Sequence, residues 1–376
     1  MTLSQPTRVV ICGGGTSGHV LPAVAIAEML EDEGVLAKDV HFIGTQRGID
    51  KEIFCLTEYP YTLLNVVGAR HQLSPRAAFH NVRMLFLMHK ATREACKLMR
   101  EISPSVVVSV GGYGSLAPMR AAKKLKIRRV VVSYDSQPGL ATRRQARDAD
   151  VVTKSHPHSP LLNATLVGAP IRRHLRQAGA NEIGLVEKNA ARLALGIPLN
   201  QFVVAVMGGS LGSALLNHVT EELRDDPSLS EIFWYHIAGN RYVGDITPVE
   251  SPNYMRVGYE SRIQEVYQAV DLVVARSGAS TIGEIATLGV ASILVPWAGA
   301  ADNHQEQNAR LLSDVGAAVL MTEESFSAKK VKVVVSHFMQ HEEKLQELRK
   351  NAYLAGELNR QAELGSLIAT VARASD

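Results

Sequence analysis

The chain has 376 residues, of which 46% are hydrophobic and 20% charged, and its formal net charge is +3. This length exceeds what one hydrophobic core comfortably holds, so two domains are predicted. The sequence contains neither an apolar run of the roughly 20 residues that span a bilayer nor a basic-then-apolar leader, which predicts an intracellular protein. Cys12, Cys55 and Cys96 show no CxxC spacing, which argues against disulfides and a zinc site.

Short β-branched runs alternate with amphipathic helical patterns along the whole chain. Continuous apolar strands separated by such helices are typical of parallel sheets covered on both faces. Two sets of strands therefore predict two doubly wound α/β domains, with a boundary after residue 166 in the turn-rich "LVGAPIRR". The predicted strands are Arg8–Cys12, Val40–Ile43, Val106–Val110, Val130–Ser133 and Val151–Lys154, followed by Phe202–Met207, Phe233–Ile237, Tyr254–Val257, Leu272–Ala275 and Ser292–Val295.

The end of the chain has a helical pattern from about Glu342 to Ala374. We expect its last part, about residues 355–376, to pack back on the first domain, which leaves 167–354 for the second.

Four of the predicted strands end in glycine-rich turns that lead into helices. The turns are "GGGTSGH" from Gly13, "GGYGS" from Gly111, "GGSLGS" from Gly208 and "RSGASTIGE" from Arg276, two in each half of the chain. Such a turn presents backbone N–H groups and the positive end of a helix dipole, which together bind phosphate. If the two domains face each other, all four turns surround one cleft that holds anions.

A long helical pattern with a basic face follows the second predicted strand. Seven Lys/Arg and one acid lie between residues 70 and 100, and a second basic cluster lies between residues 120 and 129. Such clusters predict an anionic partner, although solvated helix faces are the alternative. Basic residues beside exposed apolar side chains are typical of a helix that docks on an anionic bilayer. The predicted contact residues are Phe79, Arg83, Leu87, Lys90 and Arg93.

The first turn has the letters of a dinucleotide fingerprint, G-x-G-x-x-G, at Gly13, Gly15 and Gly18. A dinucleotide domain also needs an acid near the end of its second strand, and here the nearest, Asp39, precedes that strand. Dinucleotide binding is therefore not predicted. His19 follows the glycines, where it either caps the turn or accepts a proton from an attacking hydroxyl.

Two further motifs give competing interpretations. "GGSLG" matches the G-x-S-x-G nucleophile elbow of hydrolases, and Asp271 and His304 follow Ser210 in the chain order of an α/β-hydrolase triad. That hypothesis leaves the first domain unexplained. Asp148 and Asp150 form a D-x-D, but they precede a strand instead of following one, so no metal site is predicted.

Taken together, the motifs resemble the MurG family of UDP-N-acetylglucosamine–lipid I transferases. The resemblance covers nearly the whole chain and rests on "GGGTSGHVLPAVAIAE", "FIGTQRGID", "SVGGYGSLAP", "PGLATRRQARDAD", "VGAPIR", "VMGGSLGSALLN", "DLVVARSGASTIGEIATLGVASILVP" and "ADNHQEQNARLL", in this order.

The resemblance implies a GT-B glycosyltransferase of two Rossmann-like domains, inverting and independent of metal or other cofactors. Its donor would be UDP-N-acetylglucosamine, held mainly by the C-terminal domain. Its acceptor would be undecaprenyl-pyrophosphoryl-N-acetylmuramyl-pentapeptide, lipid I, at the anionic cytoplasmic face of the cell membrane, and its product lipid II. No nucleic-acid partner is implied. A GT-B enzyme with another nucleotide sugar or lipid acceptor is the nearest alternative.

The family's site residues transfer to matching positions of this sequence. His19 would be the general base, and the acceptor pyrophosphate would be held by Gly15, Thr16, Gly18, His19, Tyr113 and Ser115. Glu284 would bind the ribose, Tyr259 would cover the uracil and the backbone of Glu260 would read its edge. The donor set as a whole is Thr16, Ser17, Gly18, Asp135, Arg172, Ser210, Tyr259, Glu260, Ala279, Ser280, Thr281, Ile282, Gly283, Glu284, His304 and Gln305.

Four positions depart from the family's pattern. Asp135 replaces an asparagine and adds a negative charge that would repel a pyrophosphate unless the side chain turns away or carries a proton. Ala169 and Leu211 each replace a residue with an amide side chain, and Ser280 stands where the family has leucine.

Overall fold

The computed structural model describes residues 7–68, 74–242 and 251–374, so Arg70 of the basic cluster lies outside the described residues. The chain divides into two compact units. The first is Met1–Arg173 with Ala362–Asp376, and the second is His174–Gln361. The predicted boundary after residue 166 and the predicted return at about 355 each lie about seven residues before these divisions.

The first unit contains a seven-stranded parallel sheet with the order β3-β2-β1-β4-β5-β6-β7. β1 and β4 are fully buried because helices cover both faces. The strands are β1 Val9–Cys12, β2 Val40–Thr45, β3 Tyr61–Leu64, β4 Val106–Ser109, β5 Arg128–Ser133, β6 Val151–Lys154 and β7 Thr165–Leu166. The helices are α1 Ser17–Asp32, α2 Asp50–Phe54, α3 Pro75–Ile102, α4 Leu116–Leu125, α5 Leu140–Ala146, α6 Arg173–Ala178, which runs into the second unit, and α15 Glu363–Arg373.

The second unit repeats this plan with six parallel strands in the order β10-β9-β8-β11-β12-β13. The strands are β8 Phe202–Met207, β9 Ile232–Ile237, β10 Tyr254–Val257, β11 Leu272–Ala275, β12 Ser292–Leu294 and β13 Val319–Leu320. The helices are α7 Leu185–Leu195, α8 Ala214–Arg224, α9 Ile263–Ala269, α10 Ala279–Leu288, α11 His304–Ser313, α12 Ala328–Gln340, α13 Glu342–Ala355 and α14 Glu357–Gln361.

The prediction of two doubly wound parallel sheets is confirmed, and all ten predicted strands are present. Three strands were not predicted: β3, β7 and β13. All three lie at sheet edges, and their side chains are largely exposed or half-buried. An edge strand lacks the continuous apolar run that marks a strand buried on both faces.

The helical tail is broken twice. Gly356 separates α13 from α14, and Ala362, in the left-handed region with φ 54°, separates α14 from α15. α15 packs on α1, where Gly365 approaches Met29 so closely that a Cβ on Gly365 would lie 2.9 Å from the Met29 carbonyl oxygen. No helix within residues 7–68, 74–242 and 251–374 is long and apolar enough to cross a bilayer.

Each sheet has one point at which the strand order reverses. It lies between β1 and β4 in the first unit and between β8 and β11 in the second. The connections that leave these neighbouring strands run in opposite directions, which opens a crevice at the carboxyl edge where ligands bind in doubly wound sheets. The four glycine turns follow β1, β4, β8 and β11, the strands that flank these two points.

Candidate active site

The two glycine turns of the first unit lie against each other. A Cβ atom on Gly111 would lie 3.5 Å from Nε2 of His19, and one on Gly112 would lie 3.4 Å from the same atom and 3.0 Å from the carbonyl oxygen of Gly14. Gly111 and Gly112 have φ of 90° and 72°, which L side chains rarely adopt. Glycine is therefore required here both by the backbone conformation and by the close approach of the neighbouring turn.

A buried carboxylate holds the first turn in shape. Asp50, at the start of α2, accepts hydrogen bonds from the backbone N–H of Gly15 at 2.7 Å and of Thr45 at 2.8 Å, and from the Thr45 hydroxyl at 3.0 Å. Its side chain lies where a Cβ on Gly14 would be, 2.1 Å from Oδ1. The Gly15 N–H is thus bonded to Asp50 and shapes the turn, and the predicted contact of Gly15 with the acceptor pyrophosphate stays a prediction.

His19 is the third residue of α1, and Thr16 is its N-cap. Nδ1 of the imidazole lies 3.0 Å from the Thr16 hydroxyl oxygen. When Nδ1–H donates to Thr16, the lone pair of the neutral imidazole is on Nε2, the atom that faces Gly111 and Gly112. The Thr16 hydroxyl can therefore support the tautomer in which Nε2 accepts a proton.

Burial keeps the His19 imidazole neutral near pH 7. Burial lowers its pKa below the usual 6.5, while the carboxylates of Asp135 and Asp50 oppose this by favouring the imidazolium. An imidazole that is neutral in the resting enzyme but lies near two carboxylates is suited to accept a proton and to carry the resulting charge.

Tyr113 and Ser115 in the second turn have different positions. The hydroxyl and ring of Tyr113 lie against Gly15, 2.9 Å from where its Cβ would be. Ser115 is fully buried, donates to the Gly112 carbonyl at 2.8 Å and accepts from Gln145 at 2.8 Å. The hydroxyl of Ser115 therefore supports the turn from inside, and the predicted contact of this residue with the acceptor pyrophosphate stays a prediction.

The segment after β5 completes this edge. The buried hydroxyl of Tyr134 donates to the carbonyl oxygens of Gly18 and Val110, which connects it to both turns. The next residue, Asp135, is half-buried and is the larger of the two carboxylate influences on His19.

In the second unit, the first turn of α10 presents the backbone amides that were predicted to contact phosphate. The N-cap is Gly278, which has no side chain to accept from the helix amides. Ala279, Ser280 and Thr281 are half-buried in the first turn. Their N–H groups precede the first intrahelical bond, which Ile282 donates to the Gly278 carbonyl at 3.0 Å. Of the predicted range 279–283, the first three residues therefore present amides, whereas Ile282 and Gly283 are buried within the helix.

The predicted ribose and uracil residues lie on neighbouring elements of the second unit. One carboxylate oxygen of Glu284 accepts from the buried Tyr267 hydroxyl at 2.8 Å, which fixes the side chain. The Glu260 carboxylate accepts from Tyr235 at 2.6 Å and from the Arg262 N–H at 2.8 Å, so the predicted contact with uracil would use the backbone of this residue. Tyr259 is 61% exposed and has a ring face available for stacking.

The remaining predicted donor residues surround the turns after β8 and β12. Ser210 is exposed beside Leu211 in the turn before α8. His304 donates Nδ1–H to the Ala301 carbonyl at 2.7 Å, which leaves Nε2 as the acceptor of the neutral ring. The side-chain oxygen of Gln305 accepts from the Trp297 N–H at 3.0 Å.

Arg172 forms an ion pair inside the first unit. Its Nε donates to Glu28 at 2.9 Å, and the Arg173 N–H donates to the other oxygen of the same carboxylate at 2.6 Å. A diphosphate contact by Arg172 would therefore use the terminal nitrogens of the guanidinium or displace Glu28.

The structure excludes the serine hydrolase triad. Asp271 lies at the amino end of β11, where it pairs with Arg192 at 2.7 Å and with Lys188, whereas Ser210 follows the carboxyl end of the neighbouring β8. Four strand residues at about 3.3 Å each separate the two edges, which is far beyond a hydrogen-bonded relay. In the D-x-D, Asp148 pairs with Lys123 and Arg129, and Asp150 accepts the Arg129 N–H.

Most side chains of the predicted docking face of α3 are exposed. Arg83, Lys90 and Arg93 are exposed and Phe79 is 75% exposed, but Leu87 is half-buried. Three further apolar side chains, Val82, Leu85 and Phe86, are 60–70% exposed on the same helix. Phe79, Arg83, Phe86, Lys90 and Arg93 follow each other at spacings of four, three, four and three, which places them in one stripe.

Comparison with known families agrees with the two-unit organisation. Residues 9–153 match the model of the glycosyltransferase family 28 N-terminal domain, and residues 203–364 match that of the family 28 C-terminal domain. A relative from Desulforudis audaxviator, named UDP-N-acetylglucosamine–N-acetylmuramyl-(pentapeptide) pyrophosphoryl-undecaprenol N-acetylglucosamine transferase, is 33% identical over 93% of this chain and 94% of its own. The chain belongs to the MurG family of family 28 glycosyltransferases.

Other relatives support this assignment. A Myxococcus xanthus protein with the same name is 31% identical over 96% of this chain and 92% of its own. The crystal structure of Acinetobacter baumannii MurG superposes with a TM-score of 0.68 at 24% identity, covering 97% of this chain and all of that one. The UDP-GlcNAc 2-epimerase of Neisseria meningitidis, bound to UDP-GlcNAc, gives 0.64 at 11% identity, covering 97% and 99%. These structural likenesses identify the GT-B fold.

Several residues that support the candidate site were not predicted from the sequence. Asp50, Tyr134 and Tyr267 act on predicted site residues through contacts that span 17 to 116 positions along the chain. Asp50 had one local signal, because it ends the glycine-containing segment "GTQRGID" directly after β2.

The Asp50 contacts give the first prediction. Replacing Asp50 with asparagine puts an amide donor opposite backbone N–H donors, so we expect the free energy of unfolding of the first unit to fall by about 3 kcal/mol. Denaturant unfolding measures this change. Glu52→Gln, an exposed carboxylate on the same helix, is the control and should unfold like the wild type. Equal stability of the two variants would contradict the role assigned to Asp50.

Proposed function

We propose that this enzyme transfers N-acetylglucosamine from UDP-N-acetylglucosamine to the 4-hydroxyl of N-acetylmuramic acid in lipid I, with inversion, to give lipid II. The observation that carries the proposal is the placement of His19 at the reversal point of the first sheet, with Nε2 directed at the second glycine turn. The names of the relatives supply the substrate class.

The second unit has the groups that a UDP-sugar requires. The three N–H groups at the start of α10 suit a diphosphate without a metal, because the amides and the helix dipole favour negative charge. The half-buried Glu284 suits a ribose diol, since a carboxylate accepts two hydroxyl protons, and the exposed ring of Tyr259 suits the uracil. Ser210, His304 and Gln305 add side-chain donors and acceptors for the phosphate and the sugar.

The reaction is a single displacement at the anomeric carbon. The acceptor 4-hydroxyl oxygen forms the new bond to C1, its proton passes to Nε2 of His19, and the bond from C1 to the β-phosphate oxygen breaks. The electron pair of that bond leaves with UDP, whose added negative charge is stabilised by the amides of α10. One such donor typically contributes about 3 kcal/mol to transition-state stabilisation.

Asp135 gives the acceptor side a charge that the family's asparagine lacks. We infer that its carboxylate stabilises the imidazolium formed when His19 takes the proton, because it already favours the charged ring. The same charge opposes a pyrophosphate in the neighbouring turn. We propose that Asp135 weakens binding of the acceptor pyrophosphate and makes His19 a stronger base.

The α3 stripe supports a membrane-bound acceptor. Exposed Phe79 and Phe86 beside Arg83, Lys90 and Arg93 fit a surface with an apolar interior and anionic headgroups. We propose that this face docks on the cytoplasmic leaflet, so that the sugar of lipid I reaches His19 while its lipid stays in the bilayer.

The transferase proposal is tested by incubating the enzyme with a lipid I analogue and UDP-N-acetylglucosamine in EDTA and following UDP release. We expect UDP and a disaccharide product to form without added metal. UDP-glucose and UDP-N-acetylgalactosamine are the matched donors that test the alternative nucleotide sugars. Release only after addition of a divalent metal would contradict the mechanism, and preference for another donor would contradict the proposed substrate.

The base assignment predicts a pH profile. Because the pKa of His19 lies below 6.5 and the base must be deprotonated, kcat/KM should rise through a midpoint below pH 6.5 and be level at pH 7. Asp135→Asn removes a carboxylate that raises this pKa, so the midpoint should move to lower pH and the KM for lipid I should fall.

His19→Ala should lower kcat at least about 100-fold while UDP still binds. Unchanged turnover of His19→Ala would remove this residue from the base role.

The docking face predicts a charge-dependent membrane affinity. Arg83→Glu with Lys90→Glu should weaken co-sedimentation with phosphatidylglycerol vesicles, since each basic residue contributes about 1 kcal/mol near an anionic surface. Phe86→Ser should weaken it through lost burial. Val333→Ser, at an exposed apolar residue of the second unit, is the control and should bind like the wild type. Binding of the α3 variants equal to that of the control would contradict the proposed face.

A further inference from the structure

Arg276 lies at the centre of the carboxyl edge of the second sheet. It follows β11 directly, its side chain is 11% exposed, and its backbone N–H donates to the carbonyl of Met207 at the end of β8. Nη1 donates to the carbonyls of Val295 and Pro296, at 3.1 and 3.2 Å, and Nη2 donates to the Ser213 hydroxyl at 2.9 Å. One guanidinium thus joins the turn after β12 to the N-cap of α8, where the "GGSLG" turn ends.

Glu323, beyond β13, is the counter-ion of Arg276 and extends its reach. Oε1 lies 2.5 Å from Nη2 of Arg276, and Oε2 accepts from the Ala298 N–H at 3.2 Å. The pair is neutral overall, so Arg276 is not an available cation for a diphosphate. The positive charge of Arg276 instead positions the Glu323 carboxylate, which accepts a hydrogen bond from the turn at residues 295–299.

The turn at residues 295–299 fixes the side chain of Gln305. The Trp297 N–H donates to its amide oxygen, and the Gln305 carbonyl accepts from the buried Ser277 hydroxyl at 2.7 Å. Because the amide oxygen is engaged, the group that Gln305 presents to a ligand is its NH₂. The indole of Trp297 closes the turn against Gly299, where a Cβ would lie 2.7 Å from the ring.

We propose that Arg276 and Glu323 are positioning residues that set the donor-sugar selectivity of the enzyme through the 295–299 turn and the orientation of Gln305. This inference rests on the proposed function, in which the second unit binds UDP-N-acetylglucosamine. Glu323 acts mainly on the sugar side, since its contact beyond the ion pair with Arg276 is to the Ala298 N–H. Arg276 acts on both sides, because it also holds the N-cap of α8 next to the turn with Ser210.

The test compares binding of UDP and of UDP-N-acetylglucosamine by isothermal titration calorimetry. Glu323→Gln should weaken UDP-N-acetylglucosamine about tenfold and UDP less than twofold, because it removes one charge-assisted contact to the sugar-side turn. Arg276→Lys should weaken both ligands, since one ammonium cannot reach four acceptors in different directions. In steady state, Glu323→Gln should raise the KM for the donor and lower its preference over UDP-glucose, with kcat changed less than the KM.

Two controls match these variants. Glu324→Gln changes the adjacent exposed carboxylate, and Arg310→Lys changes an exposed arginine that pairs with Glu306 on α11. Both should bind the two ligands like the wild type. Equal weakening of UDP and UDP-N-acetylglucosamine by Glu323→Gln, or no weakening, would overturn the inference. Failure of the wild type itself to bind UDP-N-acetylglucosamine would instead overturn the proposed function.

Discussion

The reversal of strand order in each sheet is the constraint on which the candidate site depends. At β1/β4 and at β8/β11, neighbouring parallel strands send their chains to opposite faces of the sheet, so the two turns between them approach each other without a covering helix. Only glycine permits that approach in the first unit, where a Cβ on Gly112 would lie 3.0 Å from the Gly14 carbonyl oxygen. The turns are therefore rich in glycine because of the topology, and their exposed amides follow from the same cause.

Open turns of this kind need internal partners, and the two units use different ones. The first unit uses an anion, since the buried Asp50 accepts the N–H groups of Gly15 and Thr45. The second uses a cation, since Arg276 donates to carbonyls beyond β12 and to Ser213. The difference suits the proposed roles. A carboxylate near His19 supports an imidazolium, whereas a guanidinium neutralised by Glu323 leaves the dipole of α10 as the attraction for the diphosphate.

The sequence predicted the parts of this arrangement that repeat locally. Buried parallel strands are continuous apolar runs, so every interior strand of both sheets was predicted, and the glycine turns directly follow four of them. Edge strands such as β3 and β7 carry no such pattern, and the breaks at Gly356 and Ala362 are hidden in a helical composition. Hydrogen bonds between residues far apart in the sequence could not be predicted. Ser115 has the composition of a phosphate-binding turn, yet Gln145, 30 positions away, occupies its hydroxyl.

The four departures from the family's pattern fall on both sides of the proposed reaction, and their surroundings differ. Leu211 is 69% exposed in the turn that carries Ser210, so the lost amide costs no internal contact of the fold. Asp135, in contrast, is half-buried and close enough to His19 to favour its charged form. A half-buried charge costs desolvation energy unless an opposite charge stabilises it. The positive charge that His19 acquires during proton transfer is such a charge. On this argument Asp135 is tolerated because it is most stabilised when the base is protonated, which is the state that follows attack by the acceptor hydroxyl.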